Sequence, residues 1–254
     1  MGVSSAGPAL PDRATHRLAW RVATLKDARP ETATARTLVL DVPGWPGHLA
    51  GQHVDVKLTA EDGYSAQRSY SIASGPDGQR LELTVQTIAD GEVSPYLTEV
   101  LEPGDPLELR GPIGYWFVWR PESTAPVLLV AGGSGVVPLM AMIRAHADAG
   151  SQVPLRLIYS VRTPADAIYA RELSERTAAS PLALTYLYTR EGPPGAPTGR
   201  INADVIAAAA WSPHDKPDIF ICGPTGFVEA AADLLIKAGH APEAIKTERF
   251  GPTS

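Results

Sequence analysis

Four short stretches of this 254-residue chain combine residue types that could do chemistry. In Gln67-Arg68-Ser69-Tyr70-Ser71-Ile72-Ala73-Ser74, read as a strand, Arg68 and Tyr70 share one face while Ser69 and Ser71 share the other. An arginine among hydroxyls can clamp a phosphate through charge-assisted hydrogen bonds, and a tyrosine ring offers a planar surface for stacking. In VLLVAGGSGVVPLM, residues 127–140, an apolar strand runs into Gly132, Gly133, Ser134, Gly135 and Val136, and then into a helix with Pro138 near its first turn. Such glycines let the backbone approach a ligand closely, and the free N–H groups at the helix start favour an anion. The spacing departs from the strict G-x-G-x-x-G fingerprint, so alone it reads equally well as a tight strand-to-helix turn. DIFICGPTGFVEAA, residues 218–231, repeats the form with Cys222-Gly223-Pro224 at the C-terminal end of a strand, the edge at which open α/β sheets bind ligands. A lone cysteine is otherwise a small buried hydrophobe. Glu248-Arg249-Phe250 closes the set near the C-terminus.

The elements that must position these residues fall into two differently patterned halves. From Arg17 to Arg110 the runs LAWRVATL, ARTLVLDV, HVDVKL, RSYSIAS, LELTVQTI and PLELRG are short and β-rich. Pro43-Gly44, Pro46-Gly47, Gly75-Pro76-Asp77-Gly78 and Pro103-Gly104-Asp105 separate several of them, and six such runs predict a small antiparallel barrel. Only Ser94 to Val100 reads as helical there. After Pro126 the apolar runs VLLVAGG, PLRLIYS, LALTYLYT and DIFICG each precede an Ala-rich helical stretch, at 138–149, 167–178, 203–210 and 226–238. That alternation predicts an α/β domain with a parallel sheet. The expected division is a flexible tail over 1–14, a six-stranded antiparallel β-barrel domain over 15–120 and an α/β nucleotide-binding domain over 121–254. Tyr115, Trp116, Phe117 and Trp119, at the joint, read either as a docking patch or as packing between the halves.

Composition narrows the function classes. With 44% hydrophobic and 20% charged residues the chain has the balance of a globular protein, and no stretch reaches the roughly 18 apolar residues of a membrane span. The formal charge of -6 argues against a broad nucleic-acid footprint. The single cysteine, Cys222, excludes an internal disulfide or an iron–sulfur cluster held by four cysteines of this chain. With no secretory signal at the N-terminus, a cytoplasmic protein is expected.

Taken in order, Arg68-x-Tyr70-Ser71, Gly91-x-Val93-Ser94, the Gly132 turn, Cys222-Gly223-Pro224 and Glu248-Arg249-Phe250 resemble the ferredoxin–NADP reductase family. The likeness is to its compact bacterial branch and spans about Arg17 to Gly251. It implies a reductase that holds FAD on the barrel and takes hydride from NAD(P)H bound on the α/β half. By that likeness Arg68, beside Ser69, binds the FAD pyrophosphate, Tyr70 stacks on the isoalloxazine ring and Ser71 bonds near the flavin N5. Gln86 and Ile88 fall where the family's backbone contacts FAD, and Gly91, Val93 and Ser94 where a helix start meets the pyrophosphate. Gly132, Gly133, Ser134, Gly135 and Val136 cradle the dinucleotide pyrophosphate, and Cys222, Gly223 and Pro224 lie beside the nicotinamide. Glu248 and Phe250 match the family's terminal Glu-x-aromatic, with Phe for the more familiar Tyr.

Thr189-Arg190 resembles the family's Ser-Arg pair for a ribose 2′-phosphate, Arg200 stands where a second basic residue is expected, and Arg162 can assist. Together they favour NADPH over NADH, although Ile201 replaces an adenine-stacking tyrosine. No acidic residue obviously occupies the ribose-selecting position. The chain ends at Ser254 without a fused ferredoxin domain, so a separate acceptor is expected, such as a ferredoxin or a partner oxidoreductase. Two other readings share these residues: a reductase of free flavin, and an electron-transfer subunit of a larger complex.

Overall fold

The computed structural model describes residues 18–76, 80–179, 181–196 and 198–251. The tail expected over 1–14 and the Asp77-Gly78 part of one expected turn lie outside them. The first half folds as β1 (Trp20–Thr32), β2 (Ala35–Asp41), β3 (His53–Thr59), β4 (Ser65–Ser71), β5 (Arg80–Gln86) and β6 (Pro106–Ile113). These form one antiparallel sheet in the order β4-β3-β6-β1-β2-β5. A bridge between Ile72 and Leu83 brings the two outer strands together and closes the barrel. The period-two pattern explains the register: Leu38 and Leu40, Val54 and Val56, Leu81 and Leu83, and Leu107 and Leu109 all point into one core. A π-helical turn at Tyr96–Val100 buries Leu97 against that core, where a plain helix was expected.

The second half is a five-stranded parallel sheet ordered β11-β10-β7-β8-β9. Its strands are β7 (Val127–Gly132), β8 (Leu155–Val161), β9 (Leu182–Tyr188), β10 (Asp218–Pro224) and β11 (Ile245–Phe250). The helices are α1 (Val136–Asp148), α2 (Ala170–Ala179), α3 (Ala203–Ala209) and α4 (Thr225–Lys237), close to the expected spans. Alternate residues of the central strands serve opposite layers. Leu129, Leu157 and Tyr159 pack with α1 and α2, whereas Leu128, Val130, Ile158 and Ile221 pack with α3 and α4. Sequence patterning missed β11, because IKTERF has little β character of its own; it pairs along β10 from Ile219↔Ile245 to Pro224↔Phe250.

The joint between the halves divides its four aromatics. Phe117 and Trp119 are buried, Phe117 meeting Phe220 edge-on at 5.5 Å and Trp119 lying 5.6 Å from the His146 ring of α1. Tyr115 and Trp116 stay 82% and 65% exposed, so the packing reading holds for two residues and fails for the other two.

Ionic contacts then fix the seam. Arg144 of α1 donates to Glu82 of β5 at 2.9 Å, to the Ala73 carbonyl at 2.9 Å and to both oxygens of Glu172 in α2 at 3.0 and 2.6 Å. Burial works against its charge, but Glu172, Tyr169 and Glu82 together hold it above the usual arginine range. Beside it, the buried Tyr169 hydroxyl donates to Thr84 of the barrel. Removing one partner of a buried ionic cluster leaves uncompensated charge, at a cost of about 3–5 kcal/mol. Arg144→Ala therefore lowers unfolding free energy by about 3 kcal/mol or more in urea titration, and Arg171→Ala, whose side chain is 93% exposed, leaves it unchanged.

Candidate functional site

β7 is central, and the chain runs outward from it through β8 and β9 before returning to β10 and β11 on the other side. α1 and α4 follow the adjacent ends of β7 and β10 but pack on opposite faces of the sheet, which opens a crevice between those ends. Its floor depends on missing side chains. A Cβ on Gly135 would collide with the Cys222 carbonyl and stand 2.7 Å from the Gly223 nitrogen. A Cβ on Gly132 or Gly223 would strike the Phe227 ring at 2.7 or 2.8 Å. Gly133 adopts φ +55° with open space where its Cβ would be. The turn at 132–135 is thus pressed against β10 on one side and exposed to the crevice on the other.

A cleft of ≈ 330 Å³ opens there, lined by Gln86, Gly132, Gly133, Ser134, Ser160, Arg162, Asp166, Thr189, Pro224, Phe227 and Phe250, among others. A second cleft of ≈ 410 Å³ adds Arg200, Ile201, Gly226 and Ala230 and shares Ser160, Thr189, Pro224 and Phe227 with the first. The two make one trough, with Arg162 lining the first cleft and Arg200 the second. Arg190 is exposed and lines neither cleft, and Val136 is buried in the core. Sequence reading passed over Phe227, Asp166 and Ser160. An aromatic three residues after Gly-Pro at the head of a helix was the available signal for Phe227. Asp166 adds a carboxylate to the cleft lining, and its Oδ2 already accepts the Thr163 N–H and hydroxyl, at 3.0 and 2.7 Å.

On the barrel, Arg68 is exposed and pairs with Glu92 at 3.1 Å, which ties β4 to the Gly91–Ser94 loop. In that loop the Ser94 hydroxyl accepts the Ile88 N–H at 3.0 Å, and the Gly91 N–H donates to the Ile88 carbonyl at 2.8 Å. Val93 is buried in the barrel core, so only its backbone is available to a ligand, whereas Ile88 is exposed. Ser69 donates to Asp55 at 2.6 Å. Tyr70 is half-buried, and burial pushes its hydroxyl up to about 12.

The two halves meet where β4 and β10 end. His53 sits directly across from Ser71 in the barrel register, and its Nδ1 lies 3.7 Å from Glu248 Oε1. Glu248 is the register partner of Cys222. Burial raises Glu248 to about 7, while its Oε2 is buried and unpartnered. Burial, with Glu248 nearby, also pushes the Cys222 thiol well up, against a backbone hydrogen bond at Gly223. Cys222 is therefore a neutral packing surface and no nucleophile. His53 was missed because nothing in its own strand distinguishes it.

Two family models match the chain: an oxidoreductase FAD-binding domain over residues 23–118 and an oxidoreductase NAD-binding domain over 129–233. The ferredoxin–NADP reductase B of Sorangium cellulosum (strain So ce56) is 38% identical over 195 residues, covering 73% of this chain and 78% of that protein. The chain belongs to the ferredoxin–NADP reductase family. Another member, the ferredoxin–NAD(P)+ reductase component of the naphthalene 1,2-dioxygenase system of Pseudomonas putida, is 28% identical over 80% of this chain. The chain spans 56–60% of the length of several curated relatives in the family. Among solved structures, the Amycolatopsis cytochrome P450 reductase superposes with a TM-score of 0.83 at 26% identity, over 95% of this chain and 73% of that one.

The residues present fit the family's two cofactors. The open backbone at Gly133, in the lining of the trough, suits a phosphate-bearing ligand there. Tyr70 and the Arg68 strand suit a planar, phosphate-bearing group on the barrel. Overpacking against backbone costs about 1–3 kcal/mol. Gly135→Ala accordingly lowers stability by about that much and weakens nucleotide binding, measured by thermal melts with and without NADP+, whereas Gly226→Ala, with nothing within 4 Å, leaves stability within about 0.5 kcal/mol.

Proposed function

We propose that this protein is an FAD-dependent reductase that takes hydride from NAD(P)H, NADPH in preference, and hands electrons to a separate acceptor. The acceptor class proposed is a ferredoxin or a partner oxidoreductase, as the names of the Pseudomonas and Sorangium relatives indicate for those proteins. Residues 15–120 would hold FAD and 121–254 the dinucleotide, working in the cytoplasm. One observation carries the reading: the β4 end at Ser71 and the β10 end at Cys222 are joined through His53 and Glu248, with Gln86 and Phe250 lining the same cleft.

Each residue then has a task that its surroundings allow. Arg68 exchanges Glu92 for the FAD pyrophosphate, and Ser69 orients the strand through Asp55. Gly91, its N–H given to Ile88, shapes the loop in which Val93 and Ser94 offer backbone to the pyrophosphate, Gln86 and Ile88 border the same loop, and Tyr70 stacks on the ring. When bound, FAD supplies the conversion of one hydride into two single-electron transfers. Gly132 to Val136 cradle the dinucleotide pyrophosphate. Cys222, Gly223 and Pro224 offer a small uncharged floor to the nicotinamide, and Phe250 covers that position until the nicotinamide displaces it. Ser71 and Glu248 bond the reacting rings, and no metal-binding cluster occurs among the described residues.

NADPH preference rests on Arg162 and Arg200 in the trough, with Thr189 between them; Arg190 has no such position. Hydrogen bonds to charged groups are worth about 1.5–3 kcal/mol each. Arg162→Ala with Arg200→Ala raises KM for NADPH on the order of 30-fold or more, and KM for NADH much less, in steady-state assays. Equal losses for both nucleotides rule out recognition of the 2′-phosphate. The reductase reading itself requires purified protein that carries or takes up FAD and oxidises NADPH with ferricyanide; a protein that does neither ends it.

A further inference from the structure

The seam next to the reacting ends of β4 and β10 contains one titratable pair contributed by both halves of the molecule. His53 comes from the barrel and Glu248 from the last strand of the parallel sheet, with Nδ1 and Oε1 3.7 Å apart. Both side chains are three-quarters buried. We infer that His53 is a positioning residue for the reductase reaction: facing Glu248 across the seam, its imidazole sets whether that carboxylate carries charge at the nicotinamide end of the trough. The inference rests on the reductase reading above and adds to it a residue outside the family motifs of this chain.

The surrounding groups single out this pair. On β3 the other acid near His53 is Asp55, but Asp55 already accepts from Arg110 of β6 at 3.0 Å and from Ser69 of β4 at 2.6 Å. Its influence on the imidazole is a weak upward pull against the larger, downward effect of burial. The neighbours of His53 in register are Ser71 on β4 and Ile113 on β6, neither charged, and Gly114 beyond β6 adds no side chain. Around Glu248, the β10 neighbour is the neutral thiol of Cys222. Lys246, two residues earlier on β11, sits over the Phe220 ring at 4.8 Å, and Arg249 bonds Thr247 in an exposed position. His53 is therefore the group placed to meet a charge on Glu248.

Burial moves both members toward their neutral forms, His53 down and Glu248 up to about 7. Two sites that interact by more than about one pH unit titrate as a pair, with one proton held between them over an intermediate pH range. At 3.7 Å the atoms lie within ion-pair range but beyond a direct hydrogen bond. A proton moving from carboxyl to imidazole leaves the pair's net charge at zero while placing a negative charge on the Glu248 side. That matters because hydride donation turns a neutral dihydronicotinamide into a cation, which an ionised carboxylate favours and a neutral one does not. His53 thus lets Glu248 ionise at lower pH than burial alone would allow.

The test uses the full-length protein as purified, with ¹⁵N-labelled histidine, titrated by NMR from about pH 5 to about pH 9, where imidazole changes charge. If the pair is coupled, the His53 midpoint falls by about one pH unit in Glu248→Gln, a tenfold change in proton affinity. In parallel, stopped-flow reduction of the FAD-loaded enzyme by NADPH is followed against pH. His53→Gln moves the midpoint of the profile upward by about one unit, because the carboxylate has lost its cationic partner, and His53→Asn does the same. An unmoved His53 midpoint, or an unmoved kinetic profile in a variant that still turns over, overturns the assignment. Absence of NADPH oxidation in the wild-type protein would instead defeat the reductase reading, while the NMR midpoints would still report on the pair.

Discussion

The arrangement of the two halves depends on one buried cation. Arg144 lies on a helix of the parallel-sheet half, yet it donates to a barrel carboxylate, a barrel carbonyl and a neighbouring helix carboxylate together. An apolar residue at this position could fill the space but could not bind these three directional acceptors, and the seam would lose its alignment. Glu82 is in turn shared with Arg29 at 2.8 Å and Arg80 at 3.3 Å, so the bracket extends back into the barrel strands. With the seam held on this side, Gln86 of the barrel and Phe250 of the last strand face one cleft on the other.

Within that frame, the nucleotide crevice is shaped by backbone rather than by large side chains. Gly135 permits the turn after β7 to rest on the carbonyl at the end of β10, and Gly132 and Gly223 leave room for Phe227 above them. The result is a floor made of peptide groups at a helix start, where an anion can approach donors directly. Arg162 and Arg200 add positive charge along the same trough.

The reacting end is electrostatically quiet by comparison. Burial keeps the Cys222 thiol protonated and raises Glu248, and His53 is drawn toward its neutral form. Groups held in their neutral forms do little acid–base chemistry of their own, and a place with few mobile charges suits the proposed hydride transfer between cofactor rings.

Much of this was legible in order along the chain. Period-two leucines and valines dictate the barrel strands, apolar runs followed by Ala-rich stretches dictate the parallel sheet, and the glycines of residues 132–135 mark the tight turn after β7, because each is a local rule of backbone geometry and burial. The sixfold barrel and the α/β alternation were therefore readable before any contact was known. Contacts between distant residues were not. β11 exists as a strand because β10 offers it a ladder, Phe117 and Trp119 are buried while Tyr115 and Trp116 are exposed because of how the halves dock, and Arg190 stays outside the trough that admits Arg162. His53 and Glu248 are separated by most of the chain and come to face each other at 3.7 Å only when the two halves dock. Local pattern carries the elements; through-space distance, and the dielectric that burial creates, decides which side chains act together.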